Sequence, residues 1–355
     1  MANLKTYLEY YKNNSFQDCA FNEVDNILFA ELAYLNWNEI VPKNSEKISL
    51  QEAGNKFLEK EKDKKHSKFL QNIIEHLKEM KDGSRYKDCL FSNFKMILND
   101  EEQFGAICIS FEPQKVYVSF QGTDDSITGW KEDFEMSYHF PVLSQTDAIN
   151  YINSVITWRD NEVYVGGHSK GGNLAMCAAM YSNEFVHRKI KKIFNNDGPG
   201  FKYSEFNSNE YKAIASKIIN IRPEDSIIGV LLNNSGECQY VKTKEKGIKQ
   251  HDLTTWECFG SYLERGNQTE ASKRIDAKID EWLKLYKDEE RENLVITFFN
   301  ILKKINVVYV DDFKKIELSQ VVEAINEMKN IDSKTKKLLF SCFISLGIGK
   351  KENKQ

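Results

Sequence analysis

The sequence predicts an α/β fold: a mostly parallel sheet with helices on both faces and extra helices at the N- and C-termini. Three observations lead to this prediction. Short apolar, β-rich runs alternate with helical segments through the centre of the chain. The stretches before and after this centre have helical periodicity, and the 12% aromatic content supplies a sizeable core. We expect a single domain with its core at about 90–265, an N-terminal helical addition at 1–85 and a C-terminal one at 266–350.

Strands are predicted where apolar and β-branched residues form short runs between turn residues. Residues 103–111 and 115–121 are joined by Glu112, Pro113 and Gln114, which indicates a hairpin. The further predicted strands are 162–167, 190–195, 216–221 and 238–242.

Helices are predicted from apolar residues at helical spacing, such as Val24, Ile27, Leu28 and Leu32 in the segment 23–40. The other predicted helices are one or two in 49–81, then 128–138, 144–158, 170–182, 203–213, 268–286, 288–304 and 317–347. The polar tail at 350–355 is expected to be disordered.

Charge and cysteine content narrow the class of protein. Lys plus Arg number 49 and Asp plus Glu number 53, so the net charge is −4 and a dedicated nucleic-acid binder is not expected. Seven scattered cysteines, none at metal-knuckle spacing, favour reduced thiols in a cytoplasm. Residues 1–14 lack the pattern of a secretory signal, and the apolar-rich stretch 338–348 is too short to span a bilayer. We therefore expect a cytoplasmic protein.

The strongest motif is Gly-His-Ser-Lys-Gly at residues 167–171, which matches the Gly-x-Ser-x-Gly pattern of a nucleophile elbow. An apolar strand precedes it and an Ala-rich helix follows, which is the context that the pattern requires. In such a turn Ser169 exposes its hydroxyl, and the helix N-terminus offers free N–H groups where an oxyanion develops. A phosphate-binding loop would need a different glycine spacing, and a simple tight turn is the other interpretation.

A nucleophilic serine needs a base, and histidine is the expected one. Where a serine lies on such an elbow, the acid and then the histidine follow it along the chain. His187 comes directly after the elbow helix in a basic stretch, which is too early. His251 follows the last predicted strand, so it is the predicted base.

Two aspartates could orient that histidine. Asp225 follows the second strand after the elbow, and Asp197 follows the first. Both lie at strand ends on the edge where open parallel sheets place their sites. We predict Asp225 as the acid, with Asp197 as the alternative or as a turn former beside Gly198 and Pro199.

The oxyanion would need two donors. The first is the backbone N–H of Lys170, directly after the serine, and the second should come from a loop after an earlier strand. Gly122-Thr123-Asp124 ends strand 115–121, and Thr123 is the predicted second donor. A simple strand-ending turn remains the alternative for this segment.

These motifs resemble the class 3 (fungal-type) lipase branch of the α/β-hydrolases. The segments that carry the resemblance are Ser119 to Thr123, Trp130 with Asp133, and Gly167 to Ala175. Over about 20–260 the chain is similar to a bacterial family of lipase-like proteins of unassigned function. The further similar segments are Phe21 to Asp25, Gly122 to Ser126, Asp197 to Phe201, Asp225 to Gly229, and Gln250 to Asp252. The resemblance implies an α/β-hydrolase fold with Ser169 as nucleophile, Asp225 as acid, His251 as base, and Thr123 with Lys170 as oxyanion donors.

The sequence departs from the lipase pattern at two positions. Gln121 replaces the usual arginine, and Lys170 replaces an uncharged residue. A cation at Lys170 suggests a preference for an acidic ester such as a phospholipid, and a lysine that points to solvent is the alternative. Four acidic residues, Asp124, Asp125, Glu132 and Asp133, could suggest a metal site, but helix and turn stabilisation explains them more simply.

The expected activity is therefore that of a serine hydrolase acting on carboxylic esters, such as a lipase, esterase or lysophospholipase, without cofactor or metal. Thioesterase or acyltransferase chemistry would use the same residues. The alternatives are a lipid- or partner-binding protein without catalysis, and an enzyme that its terminal helices recruit to a membrane surface. The sequence leaves open whether these helices form a lid, and it leaves the oligomeric state open.

Overall fold

The computed structural model describes residues 3–124, 126–234, 237–307, 316 and 318–327. Its main sheet has eight strands among these residues, and their spatial order follows their order in the chain. The strands are β1 (Ile48–Ser49), β2 (Leu90–Leu98), β3 (Gln103–Glu112), β4 (Lys115–Phe120), β5 (Glu162–His168), β6 (Ile190–Asn196), β7 (Ile218–Pro223) and β8 (Cys238–Val241). Strands β1 to β4 pair antiparallel and β4 to β8 pair parallel, so the mostly parallel sheet is confirmed. A small hairpin of β9 (Cys258–Phe259) and β10 (Tyr262–Leu263) follows.

The helices fall where the periodicity predicts them, with two short additions. They are α1 (Leu4–Tyr11), α2 (Glu23–Leu32), α3 (Leu50–Lys60), α4 (Lys68–Asp82), α5 (Ile127–Glu135), α6 (Leu143–Val155), α7 (Lys170–Met180), α8 (Glu184–Lys189), α9 (Tyr203–Phe206), α10 (Asn209–Ile214), α11 (Glu270–Leu285), α12 (Asp288–Lys304) and α13 (Leu318–Glu327). Helices α1 and α8 were not predicted, since each is only about two turns long.

Helices cover both faces of the sheet, as predicted. The side chains of β3 alternate between the two faces. Ile107 and Ile109 pack with α1 to α4 in one core cluster, and Ala106 and Cys108 pack with α6, α7 and α10 in the other. Because the N-terminal helices share the core of the sheet, the segment before residue 85 forms one of its two covering layers.

Strand β2 is a correction to the sequence prediction, which began the sheet at residue 103. Its residues LFSNFKMIL do not alternate regularly between apolar and polar, because the register shifts between Ser92 and Lys95. A bulge of this kind breaks the period-two pattern from which strands are predicted.

The C-terminal segment places α12 against α5. Val295, Phe299 and Leu302 of α12 are buried in a small cluster with Ile127 and Trp130 of α5. The predicted third C-terminal helix, 317–347, is observed over Leu318–Glu327, and its remainder and the tail lie outside the described residues. Among the described helices, none combines the length and apolar character needed to cross a membrane. The six described cysteines are free.

Candidate active site

Ser169 occupies a strained turn between a strand and a helix. Strand β5 ends at His168, and α7 begins at Lys170. Ser169 has φ 56° and ψ −130°, a left-handed backbone conformation that is rare for a residue other than glycine. Its amide donates to the carbonyl of Asn196 over 3.0 Å, which ties the turn to the end of β6. This geometry is typical of a nucleophile elbow.

The glycines around Ser169 are required by the close approach of β4. A Cβ on Gly167 would lie 2.4 Å from the carbonyl oxygen of Phe120, and one on Gly171 would lie 2.2 Å from the same oxygen. Both positions therefore exclude a side chain, which explains the pattern of small residues two before and two after the serine.

His251 pairs with Asp197, and not with Asp225. The ring Nδ1 of His251 lies 2.7 Å from Oδ2 of Asp197, which is fully buried and directly follows β6. The other carboxylate oxygen, Oδ1, accepts from Ser226 Oγ at 2.5 Å and from the amide of Gly229 at 3.2 Å. With these bonds the carboxylate holds the His251 ring with Nδ1 protonated, so Nε2 is free to accept a proton in the neutral ring.

The prediction of Asp225 as the partner of His251 is therefore wrong. Its Oδ1 accepts from Thr269 Oγ1 at 2.6 Å, and its Oδ2 accepts from Gln250 Nε2 and the Gly247 amide, each at 3.2 Å. Asp225 thus holds the loop that precedes His251 and the segment that leads into α11. The first strand after the elbow, and not the second, carries the aspartate that faces the histidine.

His168 and Tyr34 support the His251 loop, a role that no sequence motif indicates. Nε2 of His168 lies 2.7 Å from the backbone oxygen of His251, and Nδ1 lies 2.7 Å from the hydroxyl of Tyr34. Burial, followed by the neighbouring His251, lowers the pKa of His168 well below its usual range, so the ring is neutral. Nε2 therefore donates to the His251 carbonyl, and Nδ1 accepts from Tyr34. The position of His168 directly before the serine was the only hint of this role in the sequence.

Thr123 follows strand β4 and lies in a network of hydrogen bonds. Its Oγ1 donates to Oδ2 of Asp133 at 2.6 Å, and Gln103 Nε2 donates to the neighbouring Gly122 carbonyl at 3.2 Å. Burial raises the pKa of Asp133 to about 6. Within the described part of the chain, the amides of Thr123 and Lys170 donate to no other backbone carbonyl. Neither N–H group is therefore committed to a backbone partner among these residues.

The side chain of Lys170 contradicts both interpretations that the sequence suggested. It neither points to solvent nor offers a free cation to a substrate, because it is 1% exposed. Its Nζ donates to Oε2 of Glu132 at 3.0 Å and to the carbonyl of Gln103 at 2.7 Å. The preference for an acidic ester that Lys170 suggested therefore has no support.

The acidic residues near Thr123 are held by local hydrogen bonds. Asp124 accepts from the amide of Ser126 in a turn, Glu132 pairs with Lys170, and Asp133 accepts from Thr123. Asp125 lies outside the described residues. Over the described residues, no group of three or more His, Cys, Asp or Glu side chains is arranged to hold a metal ion.

Ser169 and His251 belong to adjoining parts of the site. The ring centroids of His168 and His251 are 4.4 Å apart, and Ser169 directly follows His168. No hydrogen bond between Ser169 Oγ and His251 Nε2 is formed among the described residues. In enzymes that use a serine and a histidine in this way, the hydrogen bond between them is often long before substrate binds.

The mostly parallel sheet, the strand–serine–helix turn, and the pairing of Asp197 after β6 with His251 in the segment after β8 define an α/β-hydrolase fold. Residues 80–300 match the sequence model of a family described as Mbeg1-like, and the chain belongs to this family. This agrees with the lipase-like family that the motifs predicted. A comparison with curated proteins found no match.

Solved structures that are similar to the chain include those of three lipases. The M37 lipase is 13% identical with a TM-score of 0.35, and the match covers 60% of this chain and 71% of that one. The Rhizomucor miehei lipase in its propeptide complex is 17% identical with a TM-score of 0.32, covering 47% and 59%. The Rhizopus microsporus var. chinensis lipase is 17% identical with a TM-score of 0.32, covering 68% and 89%.

Proposed function

We propose that the chain is a serine hydrolase that cleaves carboxylic esters of the lipase or esterase type. Ser169 is the nucleophile, His251 the general base and Asp197 the acid that orients it. The amides of Thr123 and Lys170 bind the oxyanion. The observation that carries the proposal is the 2.7 Å bond from His251 Nδ1 to the buried carboxylate of Asp197, beside a serine in an elbow conformation.

In the proposed reaction, His251 transfers one proton during formation of the acyl-enzyme and one during its hydrolysis. Nε2 takes the proton of Ser169 Oγ while that oxygen attacks the ester carbonyl, and the carbonyl oxygen becomes the oxyanion. The imidazolium, stabilised by Asp197, then gives the proton to the departing alkoxide, leaving an acyl-enzyme. Water attacks the acyl group by the same route, releases the carboxylic acid and restores Ser169.

A fluorophosphonate probe tests this proposal, since it phosphonylates a serine only when that serine is activated. We expect wild-type protein to be labelled at Ser169, and Ser169→Ala and His251→Ala to lose labelling. Ser182→Ala is the matched control: Ser182 follows the same helix, and its Oγ donates to the Ala179 carbonyl away from the turn. Acetyl to palmitoyl esters would then define the acyl length. A folded wild-type protein that is not labelled contradicts the proposal.

A second candidate function is ligand binding without catalysis on the same scaffold. It is favoured by one observation, the missing hydrogen bond between Ser169 Oγ and His251 Nε2. A scaffold of this kind would bind a fatty acid or ester with equal affinity in wild type and Ser169→Ala, and would fail to turn over any ester. Turnover that requires both Ser169 and His251 excludes it.

A further inference from the structure

We infer that Glu132 is a positioning residue for the oxyanion hole, and that it acts through the buried side chain of Lys170. The inference rests on the proposed function for its catalytic meaning. The role of Glu132 lies outside the proposed triad. Among the described residues, Glu132 forms no hydrogen bond or ion pair with Ser169 or His251. Its effect would be to fix the distance between the two oxyanion donors.

Glu132 is 1% exposed and uses both carboxylate oxygens. Oε2 accepts from Lys170 Nζ at 3.0 Å and from the amide of Gln103 at 2.9 Å. Oε1 accepts from the amide of Ser144 at 3.2 Å. The carboxylate therefore joins the start of α7, the start of β3 and the first turn of α6 at one point.

Lys170 adds a second connection to the same point. Its Nζ donates to the Gln103 carbonyl at 2.7 Å. Gln103 therefore contacts the Glu132–Lys170 pair through both its backbone N–H and its C=O. A side chain held at its far end by two directional bonds restricts its own backbone, which carries the proposed donor N–H. An apolar side chain of equal length would fill the space without fixing this position.

Thr123, the other proposed oxyanion donor, is held by Asp133, which follows Glu132 on helix α5. Asp133 accepts the hydroxyl proton of Thr123 at 2.6 Å, while Glu132 accepts from Lys170 at 3.0 Å. Consecutive carboxylates of α5 therefore hold the two residues whose amides are proposed to bind the oxyanion. Helix α5 is thus a common support for a pair of donors that are far apart in sequence.

A double variant tests this role, because removing one partner alone would leave a buried charge and could unfold the protein. Lys170→Met with Glu132→Gln removes both charges and keeps the size of the side chains. We expect a folded protein in which kcat for an ester falls about 10- to 100-fold while KM changes less than about threefold. Affinity for a boronic acid, whose tetrahedral serine adduct resembles the transition state, should fall by the same factor as kcat.

The matched control is Lys95→Met with Asp147→Asn, which removes a 2.7 Å ion pair between β2 and α6. It should leave kcat and boronic acid affinity unchanged. A folded Lys170→Met, Glu132→Gln variant with wild-type kcat and wild-type boronic acid affinity would overturn the inference and leave the proposed function intact.

Amide hydrogen exchange gives a readout that does not depend on turnover. In the double variant we expect faster exchange over residues 121–124 and 170–173 than in wild type, and no change there in the control. If exchange rises but wild type hydrolyses no ester, the positioning contact is supported and the proposed function fails. Unchanged exchange in both segments refutes the positioning role whatever the activity.

Discussion

The exchange of Asp197 for asparagine isolates the acid of the proposed triad. Asparagine has nearly the shape of aspartate, and its oxygen can still accept from Ser226 Oγ and the Gly229 amide, which contact Oδ1 in the wild type. The amide nitrogen then faces His251 Nδ1, which lay 2.7 Å from a carboxylate oxygen. A donor at this place forces Nδ1 to be an acceptor, so the proton of the neutral ring moves to Nε2 and blocks it as a base.

The size of the expected decrease in kcat follows from two losses: the His251 tautomer with Nδ1 protonated, and the negative charge of Asp197. Substitutions of this kind lower kcat by about 10³- to 10⁴-fold, which corresponds to about 4–5 kcal/mol of transition-state stabilisation. Asp225→Asn is the comparison variant. It keeps an acceptor for Thr269 or Gln250 and leaves the His251–Asp197 bond intact, so we expect less than about a tenfold loss.

The assay is steady-state hydrolysis of a p-nitrophenyl ester, together with the second-order rate of fluorophosphonate labelling. Thermal unfolding of each variant shows whether the fold is retained. A loss of kcat in Asp225→Asn that equals or exceeds the loss in Asp197→Asn would refute the assignment of the acid. Wild-type activity in a folded Asp197→Asn variant would refute it equally.

Two further predictions concern the oxyanion loop and a buried carboxyl beside it. Thr123→Val removes the hydroxyl that donates to Asp133 and leaves that part-buried carboxylate without this partner. We expect the unfolding free energy to fall by about 1–3 kcal/mol and kcat to fall, whereas Thr123→Ser retains both in the same urea titrations and ester assays. Burial, followed by the charges of Asp147 and Glu132, raises the pKa of Glu102 to about 7. The folded protein therefore keeps the carboxyl proton of Glu102 at pH values where the unfolded chain has lost it. As a result, the free energy of unfolding falls as pH rises from about 4.5 to 7. Glu102→Gln removes this pH dependence. In urea titrations, the unfolding free energy of the variant minus that of wild type should increase by about 1–2 kcal/mol between pH 5 and pH 8. If the unfolding free energies of the two proteins change with pH in parallel, the prediction is contradicted.

The serine turn could be predicted from local sequence because its signal is a short pattern. The apolar strand and the glycines on either side of Ser169 identify the turn, although the contact that requires Gly167 and Gly171 is with Phe120 of β4, far earlier in the chain. Short patterns also identify the strands β3 to β7, whose short apolar runs end in turn residues.

The acid and the lysine could not be predicted in this way, because their roles depend on contacts across the fold. Asp197 and Asp225 each follow a parallel strand, and only the path of the loop before His251 decides between them. The sequence Asp-Gly-Pro-Gly at Asp197 suggested a turn former, and its φ of 52° shows that it is also a turn residue. Lys170 lies on the first turn of a helix where solvent exposure is usual, and its partner Glu132 is 38 residues away.

The contacts of helix α2 have a consequence for how the protein is made. Asn26 on this helix binds Asn196 at the end of β6, 170 residues later, and Glu23 binds the amide of Leu263, 240 residues later. At translation rates of about 5–20 residues per second, Asn26 is synthesised about 10–30 s before Asn196. The apolar face of α2, with Ile27 and Leu28 fully buried in the finished protein, gains its strands one after another during this interval, from β2 at residue 90 to β6 at residue 190. Slow translation or chaperone binding at this stage would therefore act on the N-terminal helices first.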